Sequence, residues 1–212
     1  MRIIIYGAGG HGKVVYDALI AEGKNEVIGF IDDLKKKGEK IFDKKILGGK
    51  KDLEYLIKNR KIDGIIAAFA DIKKGNQLRE EIYNYSEKMG LKIAGVIHPR
   101  SIISRYAEIN STAQIFAGAI ISAGSKIGKG TIINHNSVVD HDCSVGNYVH
   151  IAPNATLCGS VSAKNYSYIG AGSVIKEKIK IGKNSIVGMG AAVIENVSDN
   201  FIVMGIPAKP RN

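Results

Sequence analysis

Proton transfer near neutral pH is work for histidine, and this chain has five. One of them, His141, is followed directly by Asp142. A carboxylate against one imidazole nitrogen fixes the tautomer and raises the basicity of the other. Such a pair can deprotonate an attacking amine or hydroxyl. His98 precedes Pro99 and reads as structural, whereas His135 and His150 lie in the same half of the chain as His141. Two cysteines, Cys143 and Cys158, make neither a disulfide framework nor a zinc-ribbon ligand set.

A second group with chemical potential lies near the N-terminus. Gly7-Ala8-Gly9-Gly10-His11-Gly12 follows the apolar run Arg2 to Tyr6 and precedes a helical stretch from Lys13 to about Glu22. Backbone amides at such a helix start face an anion, and glycine lets a phosphate approach. Asp32 stands twenty residues beyond Gly12, where a ribose-binding carboxylate is expected. NAD is the obvious ligand, but ninety-six residues supply one mononucleotide half and none for the nicotinamide. A single nucleotide diphosphate fits better, docking against Gly9, Gly10, His11 and the turn Asp32-Asp33-Leu34.

These groups need a frame, and a repeat supplies it. Counting in sixes from Ile97 to Val193 gives seventeen positions in register, sixteen of them Ile, Leu or Val, with Ala163 the exception. Two residues earlier sit small or β-branched residues such as Ala113, Ser125, Thr131 and Cys143. Residues two apart on a strand face the same side, so each pair points inward. A short strand and a turn every six residues predict a triangular parallel β-helix over 97–212. Cys143 then belongs to its core. Residues 1–96 alternate strands with helices, which implies a parallel sheet in a Rossmann-like half domain. Strands are expected at Val27 to Ile31, Gly64 to Ala70 and Lys92 to Ile97, and helices at Asp52 to Asn59 and Asn76 to Met89.

Composition narrows the partners. Thirty Lys and Arg against twenty Asp and Glu leave a formal charge of +10, yet the basic residues are dispersed without aromatic interleaving. Nucleic acid is therefore not expected, and small phosphate-rich ligands suit the excess. No apolar run approaches the length of a membrane helix, and Met1 leads straight into a strand. No membrane insertion is expected, and the reading is cytoplasmic.

The hexapeptide pattern resembles the left-handed β-helix of the hexapeptide acyltransferases, as does the ending Gly205-Ile206-Pro207-Ala208-Lys209. Both halves together resemble bacterial sugar acyltransferases, the group of bacillosamine-pathway nucleotide-sugar N-acetyltransferases and sialic-acid O-acetyltransferases. The G-A-G-G-H-G loop, the V-I-H-P junction at Val96 to Pro99 and the histidine–aspartate pair carry that likeness. The left-handed winding is implied by the resemblance; general crossover rules would give a right-handed one. The resemblance also implies an acetyl-CoA-dependent transferase acting on the amino group of a nucleotide-linked sugar, with no metal. The stretch Ser137-Val138-Val139-Asp140-His141-Asp142 matches the family segment whose histidine is the general base, with Asp142 where the family usually has glutamate. By the same likeness Asn134 lies near the amino sugar, and His150 contacts acetyl-CoA from an outward-facing position. Ala171 and Met189, in one column with His135 and Pro153, meet the cofactor through their backbones. The family is trimeric, with active sites at subunit boundaries. Two alternatives share these features: O-acetylation of a sugar hydroxyl, and a non-catalytic nucleotide-sugar-binding protein. A zinc enzyme on the same coil pairs its ligands as H-x4-H, a spacing that His135 and His141 do not have.

Overall fold

The computed structural model describes residues 1–72 and 74–211, which form two compact units, Met1–Val96 and Ile97–Asn212. In the first, β1 (Arg2–Tyr6) leads through the glycine loop into α1 (Gly10–Glu22) and β2 (Glu26–Ile31). A two-stranded antiparallel hairpin, β3 (Lys40–Ile41) and β4 (Lys44–Lys45), precedes α2 (Lys50–Lys58). Then come β5 (Gly64–Ala67), α3 (Gly75–Lys88) and β6 (Lys92–Ile93). The sheet order is β2-β1-β5-β6 and every pairing is parallel. Ile3, Ile4 and Ile5 are fully buried, as suits a central strand covered on both faces.

Helix α1 starts at Gly10 rather than at Lys13, so the end of the glycine loop is already its first turn. The loop glycines divide by purpose. Gly7 has φ +108°, and a Cβ on it would stand 2.7 Å from the Ala68 carbonyl oxygen. A Cβ on Gly12 would collide with the Gly7 carbonyl. Gly9 and Gly10 have open space around them. The outer glycines therefore pack the loop, and the middle two leave it accessible. The hairpin β3–β4 was not expected from sequence; its turn residue Phe42 takes φ +55° without a glycine to announce it.

The second unit is a left-handed parallel β-helix of about six turns. Down the coil, two-residue strands pair with the strand eighteen residues on, as in Ile115↔Ile133, Ile133↔Ile151 and Ile151↔Ile169, and the spacing drops to sixteen at the last turn, Ile186↔Ile202. Three faces result, sheets of eight, six and five strands. The aliphatic positions counted in sixes form one continuous core with Cys143, Ala113 and Val149 between them. Ser125, Thr131 and Ser137 are fully buried there because each hydroxyl donates to a backbone carbonyl across the corner, of Asp140, Gly146 and Asn134 respectively. The tail returns as an antiparallel strand, Lys209–Arg211 against Ile202–Met204, around Gly205. Among the described residues no helix is long and apolar enough to cross a membrane.

Candidate active site

His141 stands on the turn between the strands Val138–Val139 and Ser144–Val145, at the corner where the six-stranded face meets the five-stranded one. Its Nδ1 lies 2.9 Å from Asp142 Oδ2, and both side chains are well exposed. The Asp140 carboxylate accepts the His141 backbone N–H at 2.7 Å. Hydrogen bonding to Asp142, then the charge of Asp140, raises the imidazole above the ordinary histidine value. With Nδ1 committed to Asp142, Nε2 is the basic atom, and it has no partner among the described residues. Asp142 has φ +58°, a left-handed conformation that aspartate tolerates better than most residues. Though a methylene shorter than glutamate, it reaches the ring.

His135 occupies a different corner, between Ile132–Ile133 and Val138–Val139, stacked at 5.6 Å on Phe116. The column expected below it is present: Asn154 N–H donates to the His135 carbonyl, Gly172 N–H to Pro153, and Gly190 N–H to Ala171. The N–H groups of Ala171 and Met189 have no partner among the described residues, and the Met189 side chain is 79% exposed. Such a lane of open amides suits an amide-bearing chain such as pantetheine.

Two expected positions look different in three dimensions. His150 was expected to present an outward ring, but the ring is buried, 3% exposed. Asn134 Nδ2 lies 3.2 Å from its Nε2, and the Tyr168 ring meets it edge-on at 5.0 Å. Asn134 is itself buried, its Oδ1 accepting the His135 N–H. The two side chains form a packed polar pair. Asp32, expected as a ribose ligand, accepts three backbone N–H groups: Ala8 at 2.8 Å, Leu34 at 2.9 Å and Lys35 at 3.1 Å. It clamps the glycine loop to the turn after β2. Asp33 accepts the Tyr6 hydroxyl at 2.5 Å and the Lys50 N–H at 2.8 Å. Leu34 projects, 97% exposed. At α1, Gly9 caps without a side chain, and the N–H groups of Gly10 and Gly12 have no partner among the described residues.

Cys143 is core: burial pushes its thiol up to about 11, so it is no nucleophile. Among the described residues no three His, Cys, Asp or Glu side chains are grouped to hold a metal ion.

Comparison with known proteins agrees across both units. Residues 2–86 match the PglD N-terminal domain, and residues 124–159 match the bacterial transferase hexapeptide (six repeats). A histidine-to-asparagine variant of perosamine N-acetyltransferase from Caulobacter crescentus, solved with CoA and GDP-perosamine, superposes with a TM-score of 0.92 at 28% identity. The match covers 100% of this chain and 97% of that one. The acetyltransferase domain of PglB from Neisseria gonorrhoeae, solved with acetyl coenzyme A, gives 0.88 at 31% identity over 99% of this chain and 98% of its own. WeeI from Acinetobacter baumannii gives 0.83 at 30% identity, with both chains covered completely. The chain belongs to the acetyltransferases that join a PglD-type N-terminal domain to a left-handed β-helix of hexapeptide repeats.

Proposed function

We propose that this acetyltransferase takes its acetyl group from acetyl-CoA and transfers it to the amino group of a nucleotide-linked amino sugar. His141 is the general base and Asp142 orients it. The observation that carries this reading is the exposed dyad, with Nδ1 held at 2.9 Å and Nε2 left open. Transfer to an amine needs a proton removed as nitrogen attacks the thioester. Nε2 accepts that proton, and Asp142 stabilises the imidazolium that forms. Acetyl-CoA supplies the acyl group, and its thiolate leaves. No acyl group passes through the protein.

The column from His135 to Met189 supports the cofactor assignment through the open N–H groups of Ala171 and Met189. His150 and Asn134 brace this part of the coil as a buried pair. In the N-terminal unit, the open N–H groups at the start of α1 and the space around Gly9 and Gly10 suit the diphosphate of a sugar nucleotide, with His11 beside them. Asp32 and Asp33 shape the turn that carries Leu34. Relatives solved with GDP-perosamine favour an amine over a hydroxyl as acceptor.

A homotrimer belongs to the same proposal. The outward positions of the six-stranded face are Ile102, Ile120, Val138, Thr156, Val174 and Ala192, with Ile102 65% and Val174 47% exposed. The five-stranded face instead presents Glu108, Lys126, Ser144, Ser162 and Lys180. An exposed apolar face asks for a partner, and this one ends at the corner bearing His141. Neighbouring coils would then wall the active sites.

The test is CoA release from acetyl-CoA with a panel of uridine, thymidine and guanosine diphosphate sugars carrying a free amino group. Turnover with at least one, and an acetyl mass on its nitrogen, is expected. Release with hydroxyl-only sugars alone overturns the acceptor assignment. Calorimetry showing micromolar NAD binding and none for sugar nucleotides overturns the reading of the N-terminal unit.

A further inference from the structure

We propose that Gly159 is a positioning residue for the base: its bare Cα, one coil beyond His141, is the seat on which the imidazole lies. A Cβ at position 159 would stand 2.5 Å from His141 Nε2, 2.6 Å from Cε1 and 3.3 Å from Cδ2. All three nearest atoms belong to that one ring, so the ring is the first thing a side chain at 159 would meet. The two residues are held in register by Ser160, whose N–H donates to the His141 carbonyl at 2.8 Å.

Two ordinary reasons for a glycine are absent here. Gly159 is not in the left-handed region, which the next residue, Ser160, occupies with φ +59°. Nor does this turn position demand glycine elsewhere in the coil. The equivalent positions, counted in sixes, include Ala117, Lys129, Asn147, Pro153, Asn165 and Lys183, and from Pro99 to Glu195 only position 159 is glycine. The backbone accepts side chains at this turn; the ring does not. Gly124, which underlies Asp142 from the preceding coil, differs because its φ of +74° calls for glycine on its own account. An added methyl at 159 must swing the imidazole off its seat. That movement parts Nδ1 from Asp142.

The inference rests on His141 being the base, but it can be tested without turnover. Gly159→Ala keeps an allowed backbone and should fold with an unchanged melting temperature. An NMR titration of the His141 ring in ligand-free protein should then show its pKa falling from the raised wild-type position, because the contact with Asp142 is lost while Asp140 remains on the neighbouring side. Turnover should fall by up to about 10²-fold, the scale of an ångström misplacement, with acetyl-CoA affinity changed far less. An unchanged titration in folded Gly159→Ala overturns the proposal, even if activity is lost. Should Gly159→Ala fail to fold, the double variant with His141→Ala decides: recovery of folding supports a clash with the ring, and continued failure overturns it. A moved titration together with an active His141→Ala protein supports the seat while defeating the base assignment, so the two failures are separable.

Discussion

Asp142 grips the His141 imidazole from the next position in the chain, Oδ2 to Nδ1 at 2.9 Å. Side chains of adjacent residues on a strand diverge, so the contact depends on the turn. With φ +58° at Asp142 the backbone reverses, and a carboxylate on a single methylene comes level with the ring. The dyad is thus a product of the coil's corner rather than of two elements meeting.

His141→Ala should lower turnover by ~10²–10⁴, the usual worth of a general base, with acetyl-CoA affinity nearly unchanged. The side chain is exposed on a turn, and its loss removes nothing from the core. Steady-state kinetics with calorimetry make the comparison. Retention of more than about half the wild-type rate, well short of the smallest loss expected of a general base, would falsify the assignment.

Only neutral His141 can accept a proton, and Asp142 and Asp140 raise its pKa above the ordinary value. Rate should therefore fall as pH drops through a point above about 6.5, the unperturbed histidine value. Asp142→Asn removes the larger of the two causes, so its acid limb should move to lower pH while its plateau falls. A limb that stays in place would show that another group titrates.

Much of this architecture was legible because a six-residue period is unambiguous: Ile97 to Val193 stay in register through every face. The dyad was legible because its members are adjacent. Other features depend on partners far apart in sequence. The spacing of Asp32 from Gly12 points to a ribose ligand and gives no sign that its oxygens also accept the Ala8, Leu34 and Lys35 N–H groups. His150 looked open until Asn134 and Tyr168 were found around it. The relation of Gly159 to His141 emerges only when residues eighteen apart are stacked, and one glycine among twenty-five gives no local sign of it.

Asp32→Ala should cost about 1–3 kcal/mol of stability, the scale for losing hydrogen bonds to a charged, half-buried carboxylate. It should also weaken sugar-nucleotide binding, since the Ala8 N–H anchors the loop that carries Gly9 and Gly10. Leu34→Ala, at a residue almost wholly exposed, should leave stability within about 0.5 kcal/mol. Denaturant unfolding and calorimetry on the two variants separate clamp from contact. Equal stability for both would remove the clamp.

Ile120→Lys should break the trimer. Ile120 sits in the apolar stripe of the six-stranded face, flanked in register by Ile102 and Val138. A lysine there points away from the core, so the coil itself should fold with little change. Against a second copy, however, the ammonium would have to be desolvated among aliphatic side chains without a partner, which is costly. Light scattering should show the wild type at three times the chain mass and the variant at the mass of one chain. Activity should fall with the mass, because the corner bearing His141 loses its neighbouring wall. Lys126→Ala on the polar five-stranded face is the matched control, and it should change neither mass nor rate. A wild-type protein that is monomeric and fully active at micromolar concentration would place the whole site within one chain, and the apolar face would then need another explanation.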